Sequence, residues 1–178
     1  YRIGGAGNVA LNCQSLGAQV SILSVTGNDT EGVILEELFD SSNIDSSCLV
    51  KSSNRITTNK TRVISRNQQM MRLDAEVIHD LDTKEETDLL KKIKDYIATA
   101  DPDLIIFEDY NKGVLTERVI QEVTELCRKA GVLTAVDPKR KNFFAYRNTD
   151  IFKPNLKEVK EALNLITDGV SQSFLQDI

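Results

Sequence analysis

The sequence predicts an α/β fold in which a mostly parallel sheet is covered by helices on both faces. Two observations predict it: short apolar runs alternate with helical repeats of apolar residues, and glycines stand where those helices should stop. Buried parallel strands are continuous apolar runs, and helices connect one strand to the next. We therefore expect a three-layer α/β/α core. One strand-rich segment departs from the alternation and predicts a small additional sheet.

The first part of the chain predicts helix, strand and helix in that order. Apolar residues at helical spacing follow the glycines at 4–7, and Gly17 stands where that helix would end. The apolar run at 19–25 predicts a buried strand. The turn at 27–30 precedes a helix over about 31–39, and Asp29 is a better candidate for its N-cap than for a ligand contact. The polar residues 41–47 predict a loop.

Residues 48–73 break this alternation, because two strand-like runs follow each other with no helix between them. Their Thr and Val content favours strands on both sides of a turn at 66–69. The sequence therefore predicts an inserted β lid over about 48–73. The core would then consist of about 1–47 and 74–178.

The α/β pattern returns after residue 74. Residues 83–86 fit a helix capping box, and apolar residues at helical spacing follow them. Strands are predicted at 104–107, 132–136 and 151–152. The last two helices are predicted at 116–130, ending at Gly131, and at 155–163. Residues 170–178 predict either a helix or a frayed end.

Composition excludes several classes of protein. The chain has 178 residues, with 22 Lys and Arg against 27 Asp and Glu, and a net charge of −5 argues against a general nucleic-acid binder. No apolar run is long enough to span a membrane, and no segment resembles a signal peptide. Three widely separated cysteines predict reduced thiols in a cytoplasmic protein. Because residue 1 is Tyr, we expect the chain to be an excerpt.

The glycine loop at 4–8 is the first candidate site. Glycines that open a helix let backbone amides approach a polar or anionic ligand closely. The spacing Gly5-x-Gly7-x-x-Ala10, with Asp29 further on, also fits a loose dinucleotide fingerprint. A tight turn without any ligand is the structural alternative.

Charge marks the predicted lid as the second candidate. Between residues 51 and 73 it carries basic residues and no acidic one; these are Lys51, Arg55, Lys60, Arg62, Arg66 and Arg72. Such a segment suits a phosphorylated small molecule, because guanidinium groups bind phosphate oxygens in pairs. The alternative is a solvated strand face that is balanced by the acidic residues at 74–88.

Two further candidate sites lie in loops that follow predicted strands, where ligands of parallel sheets bind. Asp109 and Lys112 follow the strand at 104–107 and could contact a hydroxyl group and a phosphate. Lys139 follows the next strand, and Asn155 and Glu158 share the first turn of the last helix. An amide and a carboxylate there could hold hydrated Mg²⁺ beside nucleotide phosphates. Alternatively, Asn155 caps the helix with Glu158 as its partner.

Taken together, these loops resemble the ribokinase/phosphofructokinase-B family of carbohydrate kinases. Residues 4–10, Gly17 and Gly27 match the family's first signature, and 154–158 match its Asn-x-x-Glu element. The resemblance implies a ribokinase-like fold, ATP and Mg²⁺ as cofactors, and a β lid that covers the sugar and often forms a homodimer contact. It implies sugar phosphate and ATP as partners, with no nucleic acid and no membrane.

Within the family, the runs 60–69, 109–116 and 136–139 are similar to kinases of heptose 7-phosphates. The resemblance implies phosphoryl transfer from ATP to the anomeric hydroxyl of D-glycero-D-manno-heptose 7-phosphate, for ADP-heptose and lipopolysaccharide-core biosynthesis. Another sugar or nucleoside kinase of the family is the alternative.

The resemblance also implies residue roles. The implied substrate-binding residues are Gly4, Gly5, Asn8, Lys60, Arg62, Arg66, Asp109 and Lys112, where the lid cations contact either the sugar's phosphate or the lid's own turn. The implied nucleotide-binding residues are Lys139, Asn155, Leu156, Lys157 and Glu158, with Glu158 holding the metal through water.

One departure from the family pattern concerns the catalytic base. Family members carry a Gly-x-Gly-Asp element whose Asp takes the hydroxyl proton, and no such element occurs in this sequence. We expect the base to lie beyond Ile178 and a first strand to precede Tyr1. The chain alone is therefore expected not to turn over ATP. A non-catalytic sugar-phosphate-binding fragment is a further alternative.

Overall fold

A computed structural model describes residues 1–164. The helices are α1 (Ala6–Ser15), α2 (Thr30–Ser41), α3 (Thr83–Ala100), α4 (Glu117–Ala130) and α5 (Leu156–Ala162). The strands are β1 (Val20–Ser21), β2 (Val25–Gly27), β3 (Ile44–Asp45), β4 (Val50–Ser52), β5 (Asn59–Ser65), β6 (Gln68–Ala75), β7 (Leu104–Glu108), β8 (Leu133–Asp137) and β9 (Ile151–Phe152). The segment 170–178, for which a helix or a frayed end was expected, lies outside the described residues.

The core strands pair in parallel, as the sequence predicts. β1 pairs with β3, β2 pairs with β4, and β7, β8 and β9 form a three-stranded sheet in that order. Within residues 1–164, only β5 and β6 pair antiparallel. The parallel α/β class is confirmed.

Helices lie on both sides of the paired strands β1–β3 and β2–β4. The neighbouring residues Leu49 and Val50 belong to different hydrophobic clusters, because adjacent residues of an extended chain point to opposite faces. Leu49 packs with Phe39 of α2 and Ala10 of α1. Val50 belongs to the larger cluster, which contains Leu89 of α3. The predicted three layers are present in this part of the molecule.

The three-stranded sheet differs, because helices cover one of its faces. Phe107 and Val136 pack with residues of α3 and α4 on that face. The opposite face carries large apolar side chains that are 40–53% exposed, namely Leu104, Ile106, Leu133 and Ile151. Their common face follows from the register, which pairs Leu104 with Leu133 and Ala135 with Ile151.

Three local predictions needed correction. The run 19–25 forms two short strands, β1 and β2, which pair with different partners. The predicted loop at 41–47 contains β3, since Ile44 is buried against α1 and α2 and supplies an apolar anchor for parallel pairing. The capping box of α3 lies one residue earlier than predicted, with Asp82 and Glu85 exchanging hydrogen bonds.

The predicted helix ends are confirmed at two glycines. α1 stops at Ser15, and Gly17 follows with a φ of 94°. α4 ends at Ala130, and Gly131 adopts a φ of 76°. Such left-handed backbone favours glycine at a helix C-terminus. Asp29 caps α2 by accepting a hydrogen bond from the Gly32 amide at 2.8 Å, as expected.

The β5–β6 hairpin turns at Arg66 and Asn67, which both have positive φ, 47° and 65°. This pair of angles is typical of a type I′ hairpin turn. The predicted inserted segment therefore includes β4, which pairs with β2 of the core sheet, and most of a hairpin that extends to Ala75.

The two faces of the hairpin differ in chemistry. One face carries the even-numbered residues Lys60, Arg62, Arg72 and Asp74, and the other carries Thr61, Val63, Met71 and Leu73. A register shift between Val63 and Ile64 marks a bulge near the tip. Val63, Met71 and Leu73 are all exposed.

No helix within the described range is long and apolar enough to cross a membrane. The three cysteines are free thiols. Burial raises the pKa of Cys127 to about 11, so this thiol stays protonated at neutral pH.

Candidate functional site

An open cleft of about 1530 Å³ runs from the start of α1 and the hairpin stem, between β1–β2 and β7, to the loop after β7. Most of the predicted substrate-binding residues line it: Gly4, Gly5, Lys60, Arg62, Asp109 and Lys112. Asn8 and Arg66 lie outside this lining, and so do the predicted nucleotide-binding residues. The cleft therefore gathers the substrate group and leaves the nucleotide group elsewhere.

Backbone forms the α1 side of the cleft. Gly5 is the N-cap of α1, with a φ of 56°, and it contributes no side-chain hydrogen bond to the helix start. A Cβ atom at Gly4 or Gly5 would meet no heavy atom within 4 Å. Gly7 instead allows close packing, since a Cβ there would lie 2.4 Å from Ile3 Cγ2. Asn8 is exposed in the first turn of the helix.

Asp29 ties the hairpin stem to the core. Its carboxylate accepts hydrogen bonds from the Gly32 amide at 2.8 Å and from the Thr57 amide at 2.7 Å, one on each oxygen. Burial alone would raise the pKa of Asp29. The hydrogen bonds from Thr57 and Gly32 outweigh this effect, so the pKa of Asp29 is lowered. Because both oxygens are engaged, the geometry disfavours the ribose contact that a dinucleotide site requires.

Arg55 joins three chain segments through one buried guanidinium group. The residue is 7% exposed. Its Nη atoms donate to the carbonyl oxygens of His79 at 3.0 Å, Val77 at 3.3 Å and Lys112 at 2.5 Å. Arg55 therefore holds the segment after β6 against the loop after β7. The sequence placed Arg55 among the lid cations, but it gave no signal for these long-range backbone contacts.

Glu76 bridges two predicted substrate-binding lysines. Its Oε1 accepts from Lys112 Nζ at 2.6 Å, and its Oε2 accepts from Lys60 Nζ at 3.1 Å. Hydrogen bonds from Lys112 and then Lys60 lower the pKa of Glu76. Asp74 and Glu76 in turn raise the pKa of Lys60. Asp74 at the end of β6 and Glu76 just after it thus balance part of the hairpin's charge, as the alternative interpretation expected.

The arginines on the same face are less evenly balanced. Arg62 and Arg72 stand directly opposite each other in the hairpin register. Arg72 Nε donates to Asp74 Oδ1 at 2.8 Å, while Arg62 has no ion-pair partner within 4 Å among residues 1–164. Like charges placed directly opposite each other are unfavourable. This face therefore retains the capacity to bind an anion.

Asp109 is 2% exposed and hydrogen-bonded on both oxygens. Oδ1 accepts from the Asn111 amide at 2.8 Å, and Oδ2 accepts from Tyr146 Oη at 2.9 Å and from Asn142 Nδ2 at 3.3 Å. Burial and then the Asp109 charge raise the pKa of Tyr146. The carboxylate fixes the loop that carries Lys112.

Gly113 completes the joint between this loop and the segment after β6. A Cβ atom at Gly113 would lie 1.8 Å from the His79 carbonyl oxygen, and its φ is 76°. The Gly113 carbonyl accepts from the Leu81 amide at 3.0 Å. Glycine is therefore required next to Lys112 for both space and backbone conformation.

A second charged cluster lies at the ends of β8 and β9. Asn155 and Glu158 form a capping box at the start of α5, and Lys139 donates to Glu158 Oε1. Burial alone would raise the pKa of Glu158, but hydrogen bonds from Lys139 and the Asn155 amide outweigh it, so the pKa is lowered. The predicted capping role of this pair is confirmed. Leu156 and Lys157 follow at the exposed start of the helix.

Carboxylates stand close together at the same strand ends. Asp137 pairs with Glu108 in the β7–β8 register. Burial and then the charge of Asp137 raise the pKa of Glu108. Lys139 Nζ lies 3.6 Å from Asp137 Oδ1, and Lys153 Nζ lies 3.8 Å from Asp137 Oδ2. Asp137 Oδ1 is buried and has no hydrogen-bond partner within residues 1–164.

Comparison with known proteins links this geometry to a family. The pfkB family carbohydrate kinases match residues 1–171. The chain is 40% identical over 163 residues to the bifunctional protein HldE of Geobacter sulfurreducens, covering 90% of this chain and 32% of that protein. It is 39% identical over 169 residues to HldE of Helicobacter pylori, covering 94% and 36%. The chain spans about a third of the length of these curated relatives.

Solved structures show the same fold. The tetrameric inhibited form of Escherichia coli phosphofructokinase-2 superposes with a TM-score of 0.75 at 17% identity, covering 98% of this chain and 56% of that one. Thermotoga maritima 2-dehydro-3-deoxygluconokinase superposes with a TM-score of 0.72 at 12% identity, covering 99% and 57%. The ribokinase-like fold class is therefore confirmed.

Proposed function

Because the chain belongs to the pfkB family of carbohydrate kinases, we propose that it is part of an enzyme that phosphorylates D-glycero-D-manno-heptose 7-phosphate. ATP would donate its γ-phosphoryl group to the anomeric hydroxyl, and heptose 1,7-bisphosphate would enter ADP-heptose and lipopolysaccharide-core biosynthesis. The similarity to HldE proteins supports this choice of sugar. We further propose a cytoplasmic location, which the three free cysteines support.

Convergence of cations at the cleft is the observation that carries this proposal. Lys60 and Arg62 reach it from the hairpin, and Lys112 reaches it from the loop after β7. In the proposal these side chains bind the phosphate that the sugar already carries, while amides at Gly4 and Gly5 approach its hydroxyl groups. Phosphoryl transfer depends mainly on positioning and charge neutralisation, so such groups suit it.

Asn8, Arg66 and Asp109 take different roles in the proposal. The exposed amide of Asn8 would contact the sugar from the first turn of α1. Arg66 lies six residues beyond Lys60, about 20 Å along an extended strand, so it belongs to the hairpin turn rather than to a phosphate shared with Lys60. Asp109 acts through its loop, because its buried carboxylate positions the backbone beside Lys112.

We propose that the cluster at the strand ends binds magnesium and ATP. A buried carboxylate oxygen of Asp137 lacks a hydrogen-bond partner in the described part of the chain, and lysines stand beside it. We propose that Glu158 holds hydrated Mg²⁺ through water and that Lys139 binds phosphate oxygens. Asn155, Leu156 and Lys157 would contact the nucleotide at the start of α5. When bound, Mg²⁺ neutralises charge on the transferred phosphoryl group.

The base that accepts the hydroxyl proton is not assigned to any of the 178 residues, because they contain no Gly-x-Gly-Asp. We therefore propose that residues 1–178 alone release no ADP. A homodimer is also proposed, in which the apolar face of the hairpin meets that of a second copy. The exposed side chains of Val63, Met71 and Leu73 support it.

The proposed reaction is tested by sugar-dependent ADP release from the full-length protein. Heptose 7-phosphate is expected to be preferred over fructose 6-phosphate and ribose. Lys112→Met should lower kcat/KM for the sugar phosphate by roughly 10- to 100-fold, because a charge-assisted contact is lost. Lys129→Met, on the exposed end of α4, is the matched control and should leave kcat/KM unchanged. Preference for fructose 6-phosphate or ribose would contradict the choice of sugar.

A further inference from the structure

We propose that Glu76 is a displaceable carboxylate that occupies the place of the substrate's phosphate between Lys60 and Lys112. A phosphorylated sugar would exchange with Glu76, whereas a sugar without phosphate would leave it bound to both lysines. This inference rests on the proposed function of the cleft and names a residue that selects phosphorylated substrates.

The bridge has the geometry of an anion site that is already filled. One Glu76 oxygen contacts Lys112 Nζ at 2.6 Å and the other contacts Lys60 Nζ at 3.1 Å. The three side chains are 21–35% exposed. Lys60 and Lys112 line the cleft, whereas Glu76 is not among its lining residues. Glu76 follows β6, whereas its two partners lie on β5 and on the loop after β7. It is thus the carboxylate that connects the hairpin to this loop.

Charge favours exchange with a dianion. The even-numbered face of the hairpin and Lys112 together present four cations, Lys60, Arg62, Arg72 and Lys112, against two carboxylates, Asp74 and Glu76. A phosphate monoester carries about −1.5 to −2 charges near neutral pH and has three acceptor oxygens. It therefore matches the excess positive charge better than one carboxylate does, whereas a neutral sugar cannot compete.

The framework around Glu76 allows its side chain to leave without loss of the site. Arg55 holds the carbonyls of Val77 and Lys112 independently of Glu76. Lys60 keeps Asp74 as a partner at 3.0 Å. Lys112, in contrast, makes no second ion pair within residues 1–164, so it becomes available to the ligand. The exchange requires only a side-chain rotation at Glu76.

Titration of the full-length protein with inorganic phosphate tests the inference by calorimetry. Glu76→Gln keeps the volume and removes the competing charge, so phosphate should bind roughly fivefold more tightly than to the unmodified protein. The double variant Glu76→Gln with Lys112→Gln should lose that gain. Glu36→Gln is the matched control, since it removes one carboxylate that pairs with Lys51 outside the bridge, and phosphate affinity should not change.

Kinetics provide a readout that a purely structural role of Glu76 would not give. In Glu76→Gln, KM for the sugar phosphate should fall while kcat stays within about twofold, because the competitor is lost but the reacting groups are not. If Glu76→Gln does not fold, Glu76→Ala is used instead, because it also removes the competing carboxylate and should likewise raise phosphate affinity.

Equal or weaker phosphate binding by the folded variant would overturn the inference, since Glu76 would then be a permanent tie. The phosphate titration uses neither heptose nor ATP. If the protein prefers another sugar phosphate, tighter phosphate binding by Glu76→Gln still supports the exchange. If it is an active heptose kinase, equal or weaker phosphate binding still contradicts the exchange.

Discussion

The two charged clusters are built in opposite ways. At the strand ends, Glu158 is 7% exposed and is fixed by a helix cap three residues away. At the hairpin, Glu76 is more exposed and joins lysines from two elements that are distant in sequence. The helix cap holds the Glu158 carboxylate in one position, whereas the more exposed Glu76 carboxylate can exchange its partners. This difference matches the proposed roles, in which the first cluster orients the nucleotide and the second selects the sugar phosphate.

The largest effect is expected where the hairpin segment meets the Lys112 loop. Gly113→Ala should lower the free energy of unfolding by about 3 to 5 kcal/mol, because a Cβ would collide with the His79 carbonyl and add left-handed backbone strain. Gly131→Ala is the matched control: it has the same φ of 76° but open space around it, and should cost about 1 to 2 kcal/mol. Equal losses in urea unfolding would show that the joint is not tightly packed.

The next effect concerns the buried guanidinium group that holds this joint. Arg55→Met should lower the free energy of unfolding by about 2 to 4 kcal/mol, since three carbonyls lose their donor. Arg62→Met should change it by less than about 0.5 kcal/mol, because Arg62 is exposed, and should instead raise KM for the sugar phosphate. Similar losses of unfolding free energy in both variants would show that Arg62 supports the fold as Arg55 does, which contradicts its assignment as a ligand contact.

The smallest effect compares the two bridging carboxylates directly. Glu158→Gln should lower the free energy of unfolding by about 1 to 3 kcal/mol, because Lys139 loses a buried partner. Glu76→Gln should lower it by less than about 1 kcal/mol, as expected for a partly exposed bridge. Urea unfolding of both variants measures the difference. A larger loss at Glu76 would contradict the view that its bridge is exchangeable.

Features set by neighbouring residues could be predicted from the sequence. The Asn155–Glu158 cap and the glycines after α1 and α4 depend on spacings of a few residues, and the structure has all of them. The hairpin turn at Arg66 and Asn67 falls within the predicted turn. These features need only local backbone geometry.

Features set by tertiary contacts could not be predicted. Nothing beside Arg55 in the sequence indicates three carbonyl acceptors at residues 77, 79 and 112. Nothing near Asp109 in the sequence indicates that Tyr146 and Asn142, more than thirty residues away, hydrogen-bond its carboxylate. Likewise, β3 lies in a polar stretch and forms because β1 offers a parallel edge to Ile44.

The alternation of side chains along β5 and β6 constrains how the length of this hairpin can change in evolution. Inserting one residue into a single strand below the turn would shift that strand's pattern by one position and rotate every side chain beyond it to the other surface. Beyond the insertion, lysine and arginine side chains would then lie on the face that now carries valine and methionine, and the apolar side chains would take the place of the cations. Insertions and deletions in a strand of the hairpin should therefore come in steps of two residues, or occur at the bulge between Val63 and Ile64.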